Sequence, residues 1–305
     1  MQQPLFTVIM TTYNAEKFLP RALDSVLAQT LKDFEIIVSN DGSPDRSADI
    51  AKEYMARDKR VSLIDLPHSG GPAAPTNAGF RAAKGEFITF LEYDDEWHAD
   101  RLEKMLKLFR DYPEIGYAGS NAKILNDETG QVTYYHFEPK DLQDEVRKAK
   151  IVTGGYFYNW SNMVLRASAV RDVGFLDENL LIGTEYDYFI RFGTKYKFAY
   201  VDEVLMTYHV HGNNVSVGSP LKNKKMLRDQ EYLLQKYSHI YERMPRLYAE
   251  RMKDNAQWNI LAGSMKRAYS LYLKSILTYP WAWKTYIKFL ISLFGRNFYR
   301  KLMRV

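Results

Sequence analysis

The chain has 305 residues, 42 Lys and Arg against 37 Asp and Glu for a formal net charge of +5, and no cysteine. That length holds one large α/β domain with an appendage, or two domains. The missing thiols exclude a disulfide framework, a thiolate nucleophile and cysteine-ligated zinc, and they fit a reducing compartment. The charge is uneven: from Ala256 to Val305 there are nine bases and no acids, which leaves 33 bases against 37 acids before that point. A mildly acidic body with a strongly basic tail suggests an anionic surface as partner, membrane or nucleic acid. No signal peptide is expected, because no basic region precedes a long apolar run near Met1. No uncharged apolar stretch approaches the roughly 18 to 20 residues that span a bilayer.

The first 120 residues alternate strand and helix signals. Leu5–Met10 reads as a strand, and Ala15–Gln29 as a helix with Phe18, Leu19, Ala22, Val26 and Leu27 on one face. Phe34–Ser39 is a second strand, and Ser47–Arg57 a helix behind the turn Gly42-Ser43-Pro44-Asp45. Val61–Asp65, Glu86–Leu91 and Ile115–Ser120 read as further strands, Pro75–Ala83 and Arg101–Arg110 as helices. This alternation implies a mostly parallel sheet with right-handed crossovers, and the continuous apolar strands imply helices on both faces. From 121 to 217 the pattern is less regular, with a hairpin near Gly130, a charged helix near Asp141–Lys150 and a Gly154-Gly155 turn. A helical extension is expected over 218–305. Neither a G-x-x-x-x-G-K-[ST] loop nor a G-x-G-x-x-G turn is present, which weakens ATPase, kinase and dehydrogenase readings.

The fourth strand runs into Leu91-Glu92-Tyr93-Asp94-Asp95-Glu96-Trp97, four acids in five positions. At the carboxyl end of a parallel strand, where α/β proteins bind ligands, such oxygens suit Mg²⁺ or Mn²⁺ and an accompanying phosphate. They also suit an acidic turn capping the following helix.

The run Val8-Ile9-Met10-Thr11-Thr12-Tyr13-Asn14 resembles the opening of glycosyltransferase family 2, which has the GT-A fold. The resemblance continues through Ala28-Gln29-Thr30, Asn40-Asp41-Gly42-Ser43-Pro44-Asp45, Asn77-Ala78-Gly79, Lys84-Gly85-Glu86 and the acidic motif. It extends to Gly174-Phe175-Leu176-Asp177, Thr184-Glu185-Tyr186-Asp187 and Tyr208-His209-Val210-His211, covering about residues 5–215. Each piece is weak; their order and spacing are specific.

The resemblance implies an inverting, metal-dependent transferase using a nucleotide-diphosphate sugar. Thr11 and Tyr13 stand where relatives contact the base. Asn40 and Asp41 stand where the family usually has two Asp; an amide oxygen at Asn40 can still accept from the base, but an amide can also rotate and donate. Asp94 and Asp95 match the metal and ribose carboxylates, and Glu92 replaces the first Asp of the common D-x-D form. His211 matches a His that meets the metal or the diphosphate, and His209 stands where Arg is common. The family's Glu-Asp pair before Tyr-Asp reads Thr184-Glu185 here, which assigns the base that deprotonates the acceptor to Glu185, with Asp187 as fallback. Pro75-Thr76-Asn77 lacks the family's Arg, for which Arg81 is a candidate replacement. On the acceptor side, Asp187 and Trp160, at the end of Gly154-Gly155-Tyr156-Phe157-Tyr158-Asn159-Trp160, are candidates, the indole as a stacking platform.

In the tail, aromatic and aliphatic residues from Trp281 to Leu302 mix with bases, a pattern that lies in a membrane interface or packs on a core or second subunit. The expectation is a cytoplasmic enzyme of cell-surface polysaccharide synthesis, peripheral on the inner face of the plasma membrane, with Mn²⁺ or Mg²⁺, a saccharide or lipid-linked acceptor, no nucleic-acid partner and possible homo-oligomers. Two alternatives carry different chemistry. A non-catalytic subunit of a glycan assembly complex is motivated by the departures at Asn40, Thr76, Glu92 and Thr184. A sugar nucleotidyltransferase would need a Gly-rich basic loop after strand one.

Overall fold

The computed structural model describes residues 3–139, 160–212 and 220–303. The expected helix near Asp141–Lys150, the Gly154-Gly155 turn and the segment Asn213–Ser216 lie outside these residues. Two compact units divide the chain. The first comprises Met1–Ile151, Gly155–Leu180 and Thr184–Asn214; the second comprises Val152–Gly154, Leu181–Gly183 and Val215–Val305.

Among the described residues the first unit is built on a nine-stranded sheet. Its parallel half is β1 (Phe6–Thr12), β2 (Phe34–Asp41), β3 (Val61–Leu66) and β4 (Phe87–Phe90), in spatial order β3-β2-β1-β4. β1 and β4 are buried along nearly their whole length, as a strand covered on both faces must be. Helices α1 (Leu19–Leu27), α2 (Ser47–Arg57) and α3 (Ala73–Ala82) make the crossovers. α1 buries Leu19, Ala22, Leu23 and Val26, the i, i+3, i+4, i+7 stripe of an amphipathic helix. It starts four residues later than the sequence pattern suggested. Pro20 has no N–H to donate and belongs in a first turn, so residues 15–18 form a separate turn, closed by Phe18 N–H to the Ala15 carbonyl.

Beyond β4 the sheet is mixed. β8 (Val164–Arg166) lies antiparallel between β4 and β6 (Ile115–Asn126), while β6 and β9 (Lys197–Val210) run parallel and the short β5 (Glu96–Trp97) pairs antiparallel with β9. β6 is twice the length expected from its apolar run, because its second half, where Asn121, Lys123 and Asn126 interrupt the apolar residues, is paired on both edges, by β9 and by β7 (Val132–Tyr135). The β6–β7 hairpin turns at Gly130, where φ is +71°, and the Asn126 side-chain oxygen accepts the Glu128 and Thr129 N–H groups. α4 (Arg101–Asp111), α5 (Ala167–Val173) and α6 (Thr184–Lys195) complete the unit. The core gathers Phe6, Val8, Met10, Leu23, Ile36 and Leu102, among others, from both the sheet and its helices.

In this order β1, β2 and β4 end side by side. Thr12 pairs with Asn40, and Ile9 with Phe90, so the segments following Thr12, Asp41 and Phe90 meet at one sheet edge. That edge is where open α/β sheets bind ligands.

The second unit is helical. α7 (Pro220–Lys236), α8 (Ser238–Tyr241), α9 (Pro245–Leu261), α10 (Met265–Thr278), α11 (Trp283–Leu293) and α12 (Arg296–Met303) surround a core of Met252, Ala256, Ile260, Leu271, Tyr272 and Tyr299. The Tyr272 and Tyr299 hydroxyls pair at 3.0 Å inside it. Asp229 of α7, fully buried, accepts three backbone N–H groups on one carboxylate oxygen: Leu181 at 2.8 Å, Ile182 at 2.6 Å and Gly183 at 2.9 Å. A side chain at Gly183 would crowd its neighbours, since a Cβ there would sit 3.2 Å from Leu233 and 3.3 Å from the Asp229 Cβ. Among the described residues no helix is long and apolar enough to cross a membrane.

Candidate active site

The acidic motif folds into a cluster. One carboxylate oxygen each from Glu92, Asp94 and Asp95 lies within 4.8 Å of the others. Burial, and then the charges of Asp94, Glu185 and Asp95, push Glu92 well above the usual carboxylate range. Burial also raises Asp94, against the opposing pull of His211. Buried carboxylates this close together are of a kind that a divalent cation would stabilise in their charged form. The donor set, all hard oxygen, fits Mg²⁺ or Mn²⁺.

Three residues hold the cluster in shape. Ser161 is fully buried and gives its hydroxyl proton to Asp95 Oδ2 at 2.6 Å, while accepting the Glu92 N–H at 2.9 Å; its carbonyl accepts the Trp97 indole N–H at 2.9 Å. The other Asp95 oxygen accepts the His209 N–H at 3.1 Å. His211 is buried, stacked on Phe18 with ring centroids 4.4 Å apart, and its Nε2 lies 3.1 Å from Asp94 Oδ2. The His209 ring, by contrast, sits between Asp127 (2.7 Å) and Glu96 (3.4 Å), and Glu96 in turn meets Arg21. Arg21 also donates to the Asp94 carbonyl at 2.7 Å, so a cation does brace the motif's backbone.

Glu185 stands in the first turn of α6, where the helix dipole favours a negative charge. Burial nevertheless pushes it up to about 7, and the backbone N–H of Trp160 partly offsets this. Glu185 is among the charges that raise Glu92, so the two ends of the chain's acidic chemistry meet here. Asp187 is fully buried and grips Arg191 at 2.7 Å; Arg191 also donates to the Val173 and Phe175 carbonyls. That clasp ties α6 to the end of α5 and leaves Glu185 as the carboxylate beside the cluster. Trp160, read as a sugar platform, is buried instead, packed on Phe90, Tyr188 and Phe189. Its indole belongs to the core, and its backbone serves Glu185.

At the ends of β1 and β2 the residues expected around a base are brought together. Thr11 is half-buried, Tyr13 is 38% exposed, and the Tyr13 ring stacks on His68 at 4.2 Å. Asp41 holds that histidine's loop, with Oδ2 2.9 Å from His68 Nδ1 and Oδ1 accepting the Ser69 N–H at 2.8 Å. The loop comes this close because residue 42 is glycine: φ is +63°, and a Cβ would meet the His68 nitrogen at 2.5 Å. The Asn40 amide does not rotate freely. Its Nδ2 donates to Asp65 at 2.7 Å, and its Oδ1 accepts from the Thr12 and Ser43 hydroxyls. Asn77 bonds Leu176 through both its amide atoms and Glu178 besides, while Arg81 lies over the Phe175 ring.

Sequence reading missed Ser161, His68 and Asp229. Each is a single polar residue whose partner lies between 27 and 69 residues away along the chain.

Comparison with known proteins places this arrangement. Among solved structures, residues 1–349 of S. aureus TarS with UDP-GlcNAc superimpose with a TM-score of 0.60 over 90% of this chain and 89% of that one, at 17% identity. A mannosyltransferase of Pyrobaculum calidifontis with GDP-Man and Mn²⁺ gives 0.58 over 99% and 84%, at 16% identity. The fold is therefore of the GT-A type. An uncharacterised glycosyltransferase of Methanocaldococcus jannaschii is 30% identical over 74% of this chain and 77% of its own length. The chondroitin synthase of Pasteurella multocida is 27% identical over 73% of this chain, which spans only 22% of that longer protein. The model of glycosyl transferase family 2 matches residues 7–174. The chain belongs to that family and is a glycosyltransferase.

Proposed function

We propose that the chain is an inverting, metal-dependent transferase that moves a sugar from a nucleotide-diphosphate donor, a UDP-sugar, to a saccharide or lipid-linked acceptor in cell-surface polysaccharide synthesis. The observation that carries this reading is a carboxylate raised to about 7, Glu185, beside the Glu92–Asp94–Asp95 cluster. A base must be ionised at working pH yet basic enough to take a proton, and a value near neutrality meets both needs.

In this reading Thr11, Tyr13, Asn40 and Asp41 surround the base, Asp94 the ribose, and Asp94, Asp95, Glu92 and His211 the cation and diphosphate. Bound Mn²⁺ or Mg²⁺ would act as a Lewis acid, neutralising charge on the departing diphosphate. Glu185 takes the proton of the acceptor hydroxyl as its oxygen attacks the anomeric carbon. The bond from that carbon to the diphosphate breaks on the opposite face, so configuration inverts. The catalytic part is residues 1–217 and the extension 218–305. The matching location is the cytoplasm, at the inner face of the plasma membrane.

The test is a panel of nucleotide sugars, with and without Mn²⁺, scored by thermal unfolding. A donor at about 100 times its dissociation constant adds ~2.7 kcal/mol to stability, roughly 5 °C or more for a chain of this size. Asp95→Asn should abolish metal-dependent UDP binding by calorimetry. Intact metal-dependent binding in that variant would remove the cluster from the donor site.

A further inference from the structure

α11 carries apolar residues on both sides. Phe289 and Ile291 pack inward on the core beside Thr285 and Ser292, both almost fully buried, and Lys288 donates to Gln257 at 2.8 Å. A second apolar set at i, i+3, i+4 and i+7, namely Trp283, Tyr286, Ile287 and Leu290, faces out. The pattern extends to both sides: Leu277 is 79% exposed, Trp281 81% and Phe294 73%. Scattered exposed apolar residues need no explanation, but a whole helical stripe does.

The charge of the same stretch says what covers it. Bases alternate with these residues, with no acid after Asp254. Lys274, Lys284, Arg296, Arg300 and Lys301 are exposed, and the Lys284 ammonium sits 5.7 Å from the centre of the Trp283 ring. A second copy docking by the same face in a two-fold dimer would bring two acid-free basic surfaces together. An anionic bilayer surface instead accepts the bases at its headgroups and the indoles at headgroup depth.

We infer that residues 273–302 form an interfacial membrane-docking face, which seats the protein on anionic lipid through the exposed stripe of α11 and its flanking residues. This face belongs to the second unit and the donor site to the first, and its test does not depend on which sugar is moved.

The full chain is sedimented with vesicles of phosphatidylcholine alone or with about 30 mol % phosphatidylglycerol. The expected result is at least roughly tenfold tighter partition onto the anionic vesicles, weakened by about 0.5 M salt, with a blue shift of tryptophan emission on binding. Trp281→Ser with Trp283→Ser removes two exposed rings, and partition should fall roughly tenfold. The separate combination Lys284→Glu, Arg300→Glu, Lys301→Glu should abolish the preference for anionic lipid. Both variants should keep wild-type melting temperatures and donor hydrolysis. Equal partition onto neutral and anionic vesicles would overturn the inference, as would no partition at all. So would a wild-type dimer in vesicle-free buffer that the Trp variant dissociates while lipid partition is unchanged.

Discussion

Replacing Glu185 with Gln separates the proposed proton acceptor from its surroundings, and the structure sets the size of the effect. Burial raises this carboxyl from its ordinary 4.5 to about 7. Each unit corresponds to about 1.4 kcal/mol, so the ionised form costs the fold at most about 3 kcal/mol. The sign follows from which form the fold prefers. Below pH 4.5 the group is protonated in both folded and unfolded chains and costs nothing. Between 4.5 and 7 the unfolded chain releases its proton first and stability drains away; above 7 the loss is complete. An amide never ionises and escapes this loss. In metal-free buffer Glu185→Gln should therefore melt with wild type near pH 4.5 and above it, by roughly 5–10 °C, near pH 8. The same variant should bind donor but lose transfer, while wild-type transfer should rise as pH passes through about 7. Thermal unfolding across that pH range, paired with single-turnover transfer, makes the measurement. A stability difference that does not change with pH, or unchanged turnover, would refute the assignment.

Two further outcomes are expected. Ser161→Ala removes the hydroxyl that orients Asp95 without touching a carboxylate, and Mn²⁺ affinity measured by calorimetry should weaken about tenfold; unchanged affinity would make Ser161 a packing residue only. Asp229→Ala strands three backbone N–H groups just before α6, costing about 3 kcal/mol and roughly 5–10 °C, with Asp229→Asn recovering much of it; an alanine variant melting within about 1 °C of wild type would show that water replaces the clasp.

The parallel half of the sheet was legible because its strands are continuous apolar runs and its helices carry a stripe of period 3.6. The mixed half was not. β8 is three residues long, too short for a periodic signature, and in the second half of β6 Asn121, Lys123 and Asn126 interrupt Ala122, Ile124 and Leu125, so the apolar run reads as ending at Ser120. Of the site, the acids from Glu92 to Glu96 were legible as a cluster at a strand end, while Glu185 was singled out only by what the family resemblance implies, and its role remains part of the proposed function. Trp160 was misread because exposure has no signal in a Gly-rich aromatic segment. Arg101 shows the same limit: at the start of a charged helix it looks solvated, yet it is fully buried, bonded to Ser120 at 2.8 Å and lying 5.0 Å from the Trp97 ring, with burial pushing it down to about 9.

The reversal of β8 has a consequence for how the acidic motif is anchored. Thr89 pairs with Val164 and Phe87 with Arg166, so the chain enters β8 at the edge where β4 ends. Ser161, just ahead of β8, therefore meets Glu92 and Asp95, which follow β4. Its neighbour Asn162 exchanges hydrogen bonds with the Ser120 backbone of β6. One reversed strand thus fastens the acids to a second strand of the sheet, so a shift of β6 would be felt at the carboxylates.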